Sequence, residues 1–106
     1  MSHPPQVIAF DGPFLQTENL EKTKSMLYAA VESGSPNLVM DFSEVEYVDS
    51  SFLGLLIRVL RLVKSNGGEI KLCCMSSSIY SIFKLMALTR VFDIHDTREG
   101  ALKAFE

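Results

Sequence analysis

A chain of 106 residues with 47% hydrophobic and 22% charged residues has the size and balance of one globular domain, which excludes both disorder and a staple-dependent miniprotein. Its 10 Lys and Arg against 13 Asp and Glu leave a net charge of −3, with no cationic excess to neutralise phosphates, so no nucleic-acid partner is expected. The longest apolar run, residues 52–63, is interrupted by Arg58 and Arg61, so no membrane insertion is expected either.

Residues 1–6 carry Pro4 and Pro5 and read as a loose extended tail, without the charged and apolar blocks of a secretory signal. Val7, Ile8, Ala9 and Phe10 predict a short strand, ended by the turn signal Asp11, Gly12, Pro13, and Phe14 with Leu15 adds a short extension. Thr17 is a candidate N-cap, with Glu18 and Glu21 in the first turn where acids suit the helix dipole. Leu20, Leu27, Ala30 and Val31 then recur at helical spacing, which predicts a helix over 18–33 stopped by Gly34 and Pro36. Leu38, Val39 and Met40 are continuously apolar, as in a strand covered on both faces. A connector over 44–48 is anchored inward by Val45 and Val48.

Asp49, Ser50 and Ser51 open a second helix that reaches about Ser65 before Gly67 and Gly68 end it. Residues 69–75 form the next strand, and Ser76, Ser77 and Ser78 offer caps for a helix through Leu88 with Ile79, Ile82, Phe83 and Met86 on its inner stripe. Residues 91–94 are the last strand, and Thr97 caps a terminal helix carrying Ala101, Leu102 and Phe105. Strand and helix alternate four times, which predicts a single α/β domain over 1–106 with about four helices on a mostly parallel or mixed sheet of about four strands. Cys73 and Cys74 are neighbours on a predicted strand and point to opposite faces, so they are poorly placed to bond each other. No spaced Cys and His set is present, so no metal site and no cofactor are expected, and the cysteine usage fits a reducing, cytoplasmic compartment.

The informative stretch runs from Val39 to Leu56. Asp41, Phe42 and Ser43 form a turn after a buried strand, a connector follows, and Asp49, Ser50, Ser51 and then Leu53 and Gly54 start a long helix. This pattern resembles the central motif of STAS domains, particularly that of bacterial anti-sigma factor antagonists. The Gly67–Gly68 pair and the run from Leu88 to Ile94 continue the resemblance, which covers residues 37–106. It implies a single STAS domain that binds an anti-sigma factor serine kinase while unphosphorylated, is released on phosphorylation of Ser50, is reset by a phosphatase, and so regulates transcription indirectly. Asp49, Ser51, Phe52, Leu55, Arg58 and Leu62 are the implied partner-binding residues, with Asp41 and Ser43 adjacent. Two departures stand out. Phe52 replaces the usual Gly and suggests crowding beside the acceptor, and Leu15 stands where the family's second strand ends in an acid, after a first strand that is missing or stunted. Phe52 also keeps open an alternative, a STAS adaptor docking on a transporter or signalling complex without phosphorylation. A weak homodimer is open as well.

The residues alone leave Ser50 with two readings, an N-cap or a modification site. Asp49 is either a turn cap or the orienting neighbour of that hydroxyl. With Arg58 marking the outward direction of the helix, Leu55 and Leu62 fall within about 60° of it at 100° per residue, while Leu53, Leu56, Leu60 and Val63 point inward. This predicts an exposed Leu55–Leu62 patch. Arg58, Arg61 and Lys64 otherwise read as a solvated face. A serine hydrolase would need a base, and only His3 and His95 exist, with no Gly-x-Ser-x-Gly elbow, so no enzyme is expected.

Overall fold

The structure, a computed structural model, describes residues 4–106. Four strands, β1 (Gln6–Ala9), β3 (Leu38–Asp41), β5 (Ile70–Cys73) and β6 (Asp93–His95), form one sheet in the order β1-β3-β5-β6, every pair parallel. Helices α1 (Leu20–Glu32), α2 (Ser50–Ser65), α3 (Ser77–Leu85) and α4 (Arg98–Lys103) follow in alternation, as the sequence pattern requires. A second, two-stranded ribbon joins β2 (Phe14–Leu15) to β4 (Tyr47–Val48), again in parallel. The extension after the first strand and the connector before α2 therefore pair with each other, which orients the start of α2.

The parallel register divides each strand between two layers. Ile8, Leu38, Met40, Ile70 and Leu72 join Leu27, Phe52, Leu56, Val59, Ile79 and Phe83 in one large apolar core. A ladder of T-shaped ring pairs, Phe10 with Phe42 and Phe52, then Phe42 with Phe83 and Phe83 with Phe92, runs through it. On the opposite face, among the described residues, α4 is the helix that covers the sheet, and the core there is Val39, Cys73 and Ala101, with Cys74, Leu102 and Phe105 packed alongside. β1 lies at the sheet edge, and its Val7 and Ala9 stay exposed.

Four expectations are corrected. Gln6 belongs to β1, opposite Leu38, rather than to a loose tail, while residues 1–3 of that tail lie outside the described residues. Thr17 sits in a 3-10 turn (Thr17–Asn19) before α1, whose own cap is Asn19. α3 stops at Leu85 because Ala87 takes a left-handed φ of 60°, so Met86 points out and Leu88 re-enters the core through a second 3-10 turn. Val91 is exposed, and the last strand starts at Asp93. The glycine pair after α2 behaves as its composition suggests: Gly67 adopts φ +81°, and a Cβ at Gly68 would overlap the Pro36 carbonyl.

Candidate functional site

The β2–β4 ribbon delivers the chain to α2 with Asp49 as N-cap in an extended conformation. Asp49 Oδ1 accepts the Phe52 N–H at 3.0 Å. Its Oδ2 accepts the Thr17 N–H at 2.8 Å and the Thr17 hydroxyl at 3.0 Å. Thr17 Oγ1 also lies 2.9 Å from Ser51 Oγ, and the Asp49 N–H donates to the Leu15 carbonyl at 3.1 Å. The Phe52 N–H first, and then the Thr17 donors, hold the Asp49 carboxyl below the usual carboxylate range despite partial desolvation. Asp49 is therefore an anion at neutral pH, fastened from two sides.

Ser50 is thus the first residue inside the helix and not its cap. It is exposed, and among the described residues its hydroxyl has no hydrogen-bond partner. The reading of Ser50 as an N-cap falls to Asp49. Glu44, Glu46 and Glu18 are also exposed. Phe14 and Tyr47, paired across the ribbon, stack edge-on at 6.4 Å and remain 50% and 46% exposed, which leaves an aromatic pair two residues from Asp49.

Two residues of the expected partner surface are instead core. Phe52 is fully buried, its ring 5.7 Å from that of Phe10 and 6.2 Å from that of Phe42. Leu55 is fully buried as well. The buried arc of α2 takes in Phe52, Leu53, Leu55, Leu56, Val59, Leu60 and Val63, because the helix packs on α1 as well as on the sheet core. Projection from Arg58 assumed burial from one side only. Arg58 is exposed, Leu62 and Ser51 are half-buried, and Leu62 is what remains of the expected leucine patch.

Asp41 and Ser43 form a separate unit. The Asp41 side chain is buried under α4, where Oδ1 accepts the Ser43 N–H at 2.8 Å and Oδ2 takes Arg98 Nε at 2.9 Å and Nη2 at 2.8 Å. Burial pushes this carboxyl up, but Ser43 and the guanidinium outweigh it and leave it below its ordinary value. Beside it, Lys71 is buried with Nζ 2.7 Å from Asp93 Oδ2 and 4.8 Å from the centroid of the Phe105 ring. The Lys71 ammonium is the main cause that holds Asp93 down. His95 Nε2 lies 3.0 Å from the same oxygen but off the line of a hydrogen bond. Cys73 ends β5, and burial pushes its thiol up to about 12. Cys74 turns left-handed at φ 65°, a conformation that costs a non-glycine residue about 1–2 kcal/mol. The two thiols consequently do not diverge as neighbours on a strand would: their sulfurs and an Asp41 oxygen all lie within 4.8 Å of one another.

The STAS domain family model matches residues 2–101. The chain belongs to the STAS domain family. Its STAS match thus begins well before residue 37. An anti-sigma-B factor antagonist of Bacillus subtilis is 29% identical over 80 residues, 76% of this chain and 72% of that protein. An anti-sigma F factor antagonist of Paenibacillus polymyxa is 24% identical over 70 residues, 66% of this chain and 60% of that protein. The solved structure of an anti-sigma-factor antagonist (STAS) domain protein from Planctomyces limnophilus superposes with a TM-score of 0.85 at 26% identity, covering 98% of this chain and 93% of that one. Within this STAS domain, sequence reasoning missed Thr17 as the clamp on Asp49, the Phe14–Tyr47 pair, and Arg98 as the partner of Asp41. Each depends on a contact between residues at least 32 positions apart in the chain.

Proposed function

We infer that this STAS domain is an anti-sigma factor antagonist: it binds an anti-sigma factor serine kinase while Ser50 is unmodified and is released when Ser50 is phosphorylated. The observation that carries this reading is the exposed Ser50 hydroxyl at the first position of α2, relieved of capping by Asp49. The relatives named as antagonists support the same reading. In the proposed reaction the kinase moves the γ-phosphoryl group of ATP onto Ser50 Oγ, whose proton is lost; this chain supplies acceptor and surface, and a phosphatase resets it. The unmodified hydroxyl is small and neutral, so it can enter an interface at little desolvation cost. A phosphate of about −1.5 to −2 charge cannot do so beside the Asp49 carboxylate unless the partner offers cations. Free N–H groups at the start of α2 tolerate the phosphate, so the fold survives and only the interface changes.

Asp49, Ser51, Arg58 and Leu62 remain as contact residues, and the exposed Phe14–Tyr47 pair joins them. The adaptor reading loses its motive, since the Phe52 ring is in the core and crowds nothing outside. No helix among the described residues is long and apolar enough to cross a membrane, and action in the cytoplasm is part of this proposal.

Incubation with ATP and anti-sigma-type serine kinases, followed by peptide mass spectrometry, tests the reading. One phosphate on Ser50 is expected, Ser50→Ala should bind the partner constitutively, and Ser50→Asp should bind about 100-fold more weakly, or about 3 kcal/mol. A Ser50→Asp variant that binds like the parent, with no label on Ser50, would sink it.

A further inference from the structure

The corner after β5 holds chemistry that the proposed switch does not use. Cys73 and Cys74 are free thiols, the first buried and the second half-buried. The parallel register sets Asp41 opposite Cys73, and the left-handed turn at Cys74 swings the second sulfur back beside the first. The corner is fixed by its backbone: the Phe42 N–H donates to the Cys73 carbonyl at 2.9 Å, and the Cys74 N–H donates to the His95 carbonyl at 3.3 Å. A non-glycine residue held at positive φ is uncommon, and such outliers gather at functional sites. Here the outlier is the feature that makes three ligand atoms converge within 4.8 Å.

We propose that Asp41, Cys73 and Cys74 form a binding site for a thiophilic divalent cation of the zinc or cadmium type, with its fourth position open to water. Two sulfurs and a carboxylate oxygen suit such an ion and disfavour magnesium and calcium, which take oxygen ligands. A tetrahedral ion with metal–sulfur bonds of about 2.3 Å holds its sulfurs about 3.8 Å apart. Sulfurs within 4.8 Å close that gap by side-chain rotation of about 1 Å or less, without moving the strands. Charge closes as well. A dication, two thiolates and one carboxylate sum to −1, and the Arg98 guanidinium 2.8 Å from Asp41 Oδ2 brings the cluster to zero. The Ser43 N–H on Oδ1 and the two Arg98 nitrogens on Oδ2 fix the carboxylate's orientation, as outer partners of metal ligands do, and Oδ1, with a single donor, retains a lone pair for the metal. The half-buried Cys74 gives the entry path. Binding releases the two thiol protons and ties the ends of β3 and β5 together.

Titration of the reduced full chain with cadmium(II) tests the site, read by ultraviolet thiolate-to-cadmium charge-transfer absorption and by native mass spectrometry. The expected result is one cadmium per chain with an absorption matching two thiolates. Loss of an outer partner weakens such sites 10- to 100-fold, so Cys74→Ser, a direct ligand change, should weaken binding by at least roughly 100-fold while its circular dichroism matches the parent. No charge-transfer absorption in the parent, undiminished binding by Cys74→Ser, or one metal shared between two chains would each overturn the proposal. Neither ATP nor a partner protein enters the measurement, so its outcome is independent of the role of Ser50.

Discussion

The two faces of the central sheet solve the same problem with different chemistry. Strands β3 and β5 are buried at every position, yet one face presents Leu38, Met40, Ile70 and Leu72 to three helices, and the other presents Asp41, Lys71 and Cys73 to the six-residue α4. The apolar face is held by close packing, where every removed ring or methyl group leaves a void. The other face is held by matched charges, with Asp41 on Arg98 and Lys71 on Asp93, and one partner of each pair reaches water. Burial by itself therefore does not say what a position contributes; the thickness and polarity of its cover do.

The sharpest way to break this contrast is Phe52→Ala. Removing this fully buried ring, which packs on Phe10 and Phe42, should cost about 3–5 kcal/mol by urea unfolding. A variant that keeps its stability and loses only partner binding would return Phe52 to the surface role expected from the motif. Lys71→Met tests the opposite face. Removing one partner of an ion pair is costly when the other is left buried, but Asp93 is half exposed and can rehydrate, so stability should stay within about 1 kcal/mol of the parent. A loss as large as that of Phe52→Ala would mean that the two faces are energetically alike.

Arg98→Ala has a pH signature. In the folded chain Asp41 is held below its ordinary value of 3.8, so its stabilising contribution is present above that pH and is lost as pH falls through the lower folded value. The variant should be less stable than the parent at pH 7, and the gap should shrink as the pH is taken below about 4. A gap that is constant with pH would show that Arg98 acts by packing and not by charge. The smallest effect belongs to Thr17→Val, which keeps the shape and loses the hydroxyl bond to Asp49. Carboxylate titration by NMR should show Asp49 moving upward towards its ordinary range, while the remaining Phe52 and Thr17 N–H donors keep it from arriving there.

The order of elements, the strand ending at Asp41 and the helix opening at Asp49 were legible because each rests on neighbours within a few residues. Leu53, Leu56, Leu60 and Val63 were placed inward correctly for the same reason. Leu55 was not, because a helical wheel contains no second helix. Thr17 reads as a helix cap until β2 and β4 pair and carry it to Asp49, and nothing near Arg98 announces an acid 57 residues earlier. Cys74 was misplaced because the strand was extended past the end of β5 at Cys73, into a turn of the opposite hand.

The division of labour at the start of α2 has a consequence for durability. The residue that secures the helix, Asp49, and the residue that offers an exposed hydroxyl, Ser50, are adjacent but distinct. Had one side chain held both posts, each chemical alteration of that oxygen would have loosened the first turn and worn the fold with every round. With the posts separated, the switch proposed for Ser50 would rewrite the surface repeatedly over an unchanged foundation, like a tag exchanged on a fixed hook.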